Sequence, residues 1–117
     1  MSSIIQKALK AGGQYYELHL TIINPFLPER LSDKEIKVLA AFMEIEGELV
    51  EDYRFNPVVR KKVMEKLKLS PSGLSGYLKS LIAKNMLDKN EYSGRLTIAE
   101  FLIPISDNQG YQFKIIK

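Results

Sequence analysis

Residues 56–87 read NPVVRKKVMEKLKLSPSGLSGYLKSLIAKNML, and the order of apolar, basic and helix-starting residues in this stretch decides the fold. Asn56 is placed to cap a helix whose first position is Pro57, where the missing proline N–H removes no bond the helix would have made. Val59, Val63, Met64 and Leu67 recur at helical spacing, which leaves Arg60, Lys61, Lys62 and Lys66 mostly on the exposed side. After Leu67 the chain runs through Lys68 and Leu69 to Ser70 and Pro71, a second cap followed by a second proline. The helix that starts there puts Leu74, Tyr77, Leu78, Leu81 and Ile82 on one face. Ser72, Gly73, Ser75, Gly76, Lys79, Ser80 and Ala83 turn outward. Two amphipathic helices joined by a tight turn are expected, the first with a basic outer face and the second with a small, hydroxyl-bearing one.

A small-residue leading end lets a helix approach a groove closely. Serine hydroxyls bond phosphate oxygens or base edges, and a helix N-terminus favours an anion. Ser70, Ser72, Ser75 and Lys79 are therefore the contact candidates on the second helix, set against the simpler reading that the serines cap and solvate a surface helix. Gly73 and Gly76 each cost about 1 kcal/mol relative to alanine inside a helix. Either they permit close backbone approach to a partner, or the helix begins later in the chain. No Arg, Asn or Gln stands in the first three turns, so the best bidentate contacts to guanine and adenine are missing. Affinity is expected from phosphates and DNA shape.

Upstream, Ser32 and Glu35 form a capping box at the start of a helix over 31–47, with Ile36, Leu39, Ala40 and Met43 as its apolar stripe. Phe42 extends the stripe toward a second contact surface, and Gly47 is the expected stop. Residues 15–23 alternate, with Tyr16, Leu18, Leu20 and Ile22 opposed to Tyr15, Glu17, His19 and Thr21, which predicts a half-buried strand ended by a turn at Asn24 and Pro25. Ile4, Ile5, Ala8 and Leu9 predict a short helix before Gly12 and Gly13. Downstream, apolar segments at 86–87 and 95–98 flank a polar tip containing Gly94 and predict a β-hairpin, with Lys89, Asn90 and Arg95 near its end. Tyr111, Phe113 and Ile115 predict a closing strand, after a loop at 106–110, that pairs with the strand at 15–23.

The order helix, helix, turn, helix, hairpin resembles the winged helix-turn-helix superfamily. Within it the chain is similar to small bacterial and phage regulators of MarR-like type, over residues 31–103. The resemblance implies an α+β fold of three core helices and a β-hairpin wing, a recognition helix at 70–84, a wing at 88–96, and binding of double-stranded DNA in transcription regulation. It also implies that Arg60, Lys61 and Lys62 sit against the phosphate backbone. The chain departs from the MarR-like pattern by ending in a strand where those proteins have a long dimerisation helix, and its flanking strands resemble those of winged-helix domains in replication initiators. The expected DNA-contact set is Arg60, Lys61, Lys62, Lys66, Ser70, Ser72, Gly73, Ser75, Gly76, Lys79, Lys89 and Arg95. On this reading residues 1–30 are a helix and strand extension and residues 104–117 a loop and strand, all within one domain.

Length and composition suit that scale: 117 residues, 45% hydrophobic and 26% charged, enough for one core. With no long apolar run and no signal-peptide pattern, a cytoplasmic, nucleoid-associated protein with no membrane partner is expected. The lack of cysteine excludes a disulfide framework, a thiolate zinc site and a cysteine nucleophile. Net charge is only +3, yet residues 56–90 hold eight basic against two acidic residues and residues 14–55 four against nine. A basic side faces a polyanion, and an acidic side is left for a homodimer contact or another protein. No enzyme is expected. His19, the one histidine, is read as a surface or edge residue, no phosphate-binding glycine loop is present, and EIEGELVED only loosely resembles a calcium loop. No catalytic residue, cofactor or metal is assigned. The rival reading is a winged-helix adaptor that binds protein and has little affinity for DNA.

Overall fold

Burial of one helix on nearly every side organises the fold. The computed structural model describes residues 14–103. Among these, five α-helices precede a two-stranded antiparallel hairpin: α1 (Gln14–Ile23), α2 (Asp33–Glu44), α3 (Glu48–Glu51), α4 (Pro57–Leu67), α5 (Pro71–Ala83), β1 (Leu87–Lys89) and β2 (Leu96–Ile98), with short 3-10 turns at Asn24–Phe26 and Glu100–Leu102. The expected helix before Gly12 and the closing strand at 111–115 with its loop lie outside the described residues.

The Ser32 capping box forms as the sequence predicts. The Ser32 hydroxyl accepts from Glu35 N at 3.1 Å and the Glu35 carboxylate accepts from Ser32 N at 2.8 Å, so two otherwise orphaned donors are satisfied. From there α2 runs into the centre. Val38, Leu39, Ala40, Ala41, Phe42 and Met43 are all buried, because α1, α4 and α5 pack around it. Phe42 therefore does not reach toward a second contact surface. It is wholly buried, its ring centroid 4.5 Å from that of Phe55.

Three further expectations are corrected. Residues 15–23 form α1 and not a strand. Its buried positions, Tyr15, His19, Leu20 and Ile23, follow helical spacing, and so short a run also satisfies a two-residue alternation. As a helix, this segment offers no edge to a closing strand. His19 accordingly lies in the core, 3% exposed, with Nε2 2.6 Å from the Leu102 carbonyl oxygen. Gly47 does not stop α2, which ends at Glu44. Gly47 instead stands before α3 with φ +93°, a left-handed backbone that turns the chain into the next helix.

The exposed α2 carbonyls are covered by a residue that the sequence pattern does not single out. Arg54 Nη1 donates to Phe42 O at 2.7 Å, Met43 O at 3.4 Å and Ile45 O at 2.6 Å, placing a cation on the negative end of the helix dipole. Asn56 and Ser70 cap α4 and α5 as expected, accepting from Val59 N and Gly73 N at 3.0 Å each. The three-residue connection between them holds Lys68 at φ +56°, ψ +48°, while Leu69 N returns to Met64 O at 2.9 Å. In the hairpin, Leu87 opposes Ile98, Asp88 opposes Thr97 and Lys89 opposes Leu96. Met86, Leu87 and Leu96 are buried, so the hairpin base belongs to the core while its tip stands out.

Candidate nucleic-acid interface

The outward face of α5 carries Ser72, Ser75, Gly76, Lys79 and Ala83, all exposed, close to what the sequence spacing predicts. The helix starts at Pro71, so the two glycines are not explained by a late start. They differ from each other. A Cβ at residue 73 would lie 3.2 Å from Ser70 Oγ, crowding the cap, whereas one at residue 76 would meet nothing within 4 Å. No packing inside the described residues requires the second glycine. It leaves the middle of the exposed face flat.

Beside this face runs a groove of about 250 Å³ between α5, α4 and the hairpin, lined by Arg60, Ser75, Lys79, Lys89, Gly94 and Leu96 among others. Four of the sequence-predicted residues thus converge, contributed by three elements that the chain brings together only on folding. Lys79 and Lys89 are exposed and, like Lys61 and Lys62 on α4, are in no ion pair among the described residues. Their ammonium groups are available to an anion. Arg60 is half-buried, and its Nε donates to Phe55 O at 2.6 Å, so it serves the fold as well as the groove.

The remaining candidates are otherwise engaged. Lys66 pairs with Glu44. Ser70 is the α5 cap, with its hydroxyl 3.2 Å from that of Ser72. Ser80, half-buried and not exposed, donates to Glu35, and Lys84 Nζ donates to Glu35 Oε1 at 2.6 Å and Arg30 O at 2.9 Å. Burial pushes the Glu35 carboxyl up, but the Lys84 bond and charge, the Ser32 backbone bond and the Ser80 bond outweigh it and hold it below the ordinary carboxylate value. Arg95 reaches Asp52 at 3.2 Å and lies over the Tyr53 ring, 4.9 Å from its centroid. Both partners of that pair are at least half exposed, so screening leaves the contact weak and a phosphate can compete for the guanidinium.

Tyr53 carries no sequence signal of its own. Its hydroxyl accepts from Leu96 N at 2.8 Å, so it holds the base of the hairpin as well as stacking under Arg95. At the tip, Asn90 Oδ1 accepts from Tyr92 N and Ser93 N at 2.9 Å each, and Tyr92 is left 96% exposed. The ion pairs of Lys66, Lys84 and Arg95 also correct the two-sided charge picture. Each joins a base within 66–95 to an acid within 35–52, so the acidic and basic parts of the sequence interlock in space.

The arrangement can offer charge-assisted hydrogen bonds to a row of anionic groups beside a flat helix face. Among the described residues no group of three or more His, Cys, Asp or Glu side chains is placed to hold a metal, and no helix is long and apolar enough to cross a membrane. No family model, curated protein or solved structure matches the chain. The geometry carries the functional reading.

Proposed function

We propose that residues 31–103 form a winged helix-turn-helix and that the protein binds double-stranded DNA as a transcriptional regulator. In this reading α5 enters the major groove with Ser72, Ser75, Gly76 and Lys79 toward the bases, and the β1–β2 hairpin is the wing. The observation that supports it is the convergence of Arg60, Ser75, Lys79 and Lys89 on one groove flanking the flat, exposed side of α5. Phosphate contacts from this groove would fix the register of the helix, and the small side chains would let its backbone lie deep.

The test is fluorescence anisotropy of mixed-sequence duplex DNA. With roughly four to six phosphates neutralised per subunit, affinity should fall about 10²- to 10³-fold as salt rises fourfold. A Lys61→Glu/Lys62→Glu/Lys79→Glu/Lys89→Glu variant should lose binding to all sequences. Arg60 is left intact because its bond to Phe55 O would confuse folding with binding. An absence of binding at low salt would overturn the reading and favour the protein-adaptor alternative on the same surface.

A further inference from the structure

A second basic cleft, of about 210 Å³, lies between α2 and the connection from α4 to α5. Its walls carry Lys34 and Lys37, one turn apart on α2, Lys66 at the end of α4 and Lys68 in the connection, with Val38 and Tyr77 supplying apolar surface. Sequence order hides this grouping, since Lys34 and Lys37 belong to the acidic part of the chain. Like charges gathered at one cleft repel each other unless an anion sits among them. Among them, Lys66 has a carboxylate partner, Glu44. Lys34, Lys37 and Lys68 line the cleft in no ion pair among the described residues.

Lys68 adds an independent observation. It occupies the left-handed backbone region at the C-cap of α4, where glycine is at ease and an L side chain is strained. The side chain held in that conformation is one that lines the cleft. Such outliers persist where surrounding structure and function require them.

We propose that the Lys34, Lys37, Lys66 and Lys68 cleft is a phosphate-binding site, seating a backbone phosphate of the duplex that α5 reads. The choice of a duplex phosphate rests on the DNA-binding reading above. Tyr77, which lines this cleft, is two residues from Lys79, so at about 100° per residue the two point to opposite flanks of α5. Tyr77 also lines the shallow depression beside Gly73 and Gly76. The exposed face of α5 is therefore bordered by lysines on both sides, as a helix in a groove is bordered by two phosphate strands.

The experiment compares the full chain with a Lys34→Gln/Lys37→Gln/Lys68→Gln variant and with a Lys79→Gln/Lys89→Gln control, in two assays. In the first, salt-dependent duplex anisotropy, the triple variant should show a slope shallower by about 0.9 for each phosphate it no longer neutralises. In the second, inorganic tripolyphosphate should raise the melting temperature of the wild type more than that of the triple variant, and the Lys79→Gln/Lys89→Gln protein, which loses the anion-binding lysines of the other groove, should keep the part of the stabilisation that the triple variant loses. Lys68→Gly should weaken phosphate binding while melting no lower than wild type, a combination that a purely structural lysine would not give. A change confined to the duplex slope supports the site with DNA as the phosphate source, and a change confined to tripolyphosphate supports it with a free phosphate compound. An unchanged slope together with equal stabilisation by tripolyphosphate overturns the proposal. If the wild type fails to bind duplex at low salt, the DNA-binding reading falls and the tripolyphosphate comparison alone decides this one.

Discussion

Replacing Gly76 separates what the fold needs from what a partner needs. The residue lies in the interior of α5, exposed, with helical backbone and nothing within 4 Å of where a Cβ would stand. Alanine there gains about 0.8–1 kcal/mol of helix propensity, chiefly because the unfolded chain has fewer conformations to lose. For a chain of this size that raises the melting temperature by about 4 °C. Gly73→Ala should gain much less or nothing, since its Cβ meets the capping hydroxyl of Ser70 at 3.2 Å. Gly76→Glu is also expected to melt above the wild type, by about half the alanine gain, because glutamate is a good helix former. Yet it puts a negative charge at the centre of the proposed contact face, and duplex affinity at low salt should drop by roughly tenfold or more. Calorimetry and anisotropy on the same three variants give both readouts. A Gly76→Ala protein no more stable than wild type would refute the account of residue 76 as a free helical position, and a Gly76→Glu protein with wild-type affinity would refute α5 as the reading surface.

Two further outcomes are expected. Arg54→Ala should cost about 2–3 kcal/mol in urea unfolding, because two α2 carbonyls and that of the capping residue Ile45 lose a charged donor; a loss within error would show that water caps the helix equally well. Stability should also fall in two steps on acidification. Burial holds the His19 imidazole below its ordinary value of 6.5, against the raising effect of its bond to Leu102, so the unfolded chain binds a proton that the folded chain excludes. Stability is then full above pH 6.5 and declines as pH falls from there toward the lower folded value. Glu35, whose folded carboxyl lies below 4.5, contributes stability that is present above pH 4.5 and lost as pH falls through its folded value. Urea midpoints across this range should show the first step removed by His19→Gln and the second by Glu35→Gln; an acid limb unchanged in both variants would contradict the assignment.

The helix pair and the hairpin are legible in the sequence because their signals are local. A cap and a proline sit together at Asn56 and Pro57 and again at Ser70 and Pro71, and the box at Ser32 and Glu35 spans a single helical turn. At 15–23 locality fails. A short run rich in Tyr, Leu and Ile fits a period of two almost as well as one of 3.6, and only packing against α2 selects the helix. The groove is half legible: Ser75, Lys79 and Lys89 can be picked by exposure. The ties of Arg60 to Phe55, Lys66 to Glu44 and Arg95 to Asp52 cannot, since the last two join residues 22 and 43 positions apart. Gly47 misleads for a physical reason as well, because positive φ serves the start of a new segment as readily as the end of an old one.

α2 is gripped at both ends by groups from elsewhere in the chain, Glu35 by Lys84 and Ser80 at its start and its terminal carbonyls by Arg54 at its finish. Sliding along its axis by even one residue, about 1.5 Å, would strip both ends of their partners at once. Shear of α2 against its neighbours, a common route for conformational switching, therefore carries the cost of breaking both sets of contacts. A helix anchored in this way has its ordering entropy already met on folding. The exposed side chains of Lys79 and Lys89 and the hairpin tip around Tyr92 carry no such double anchorage.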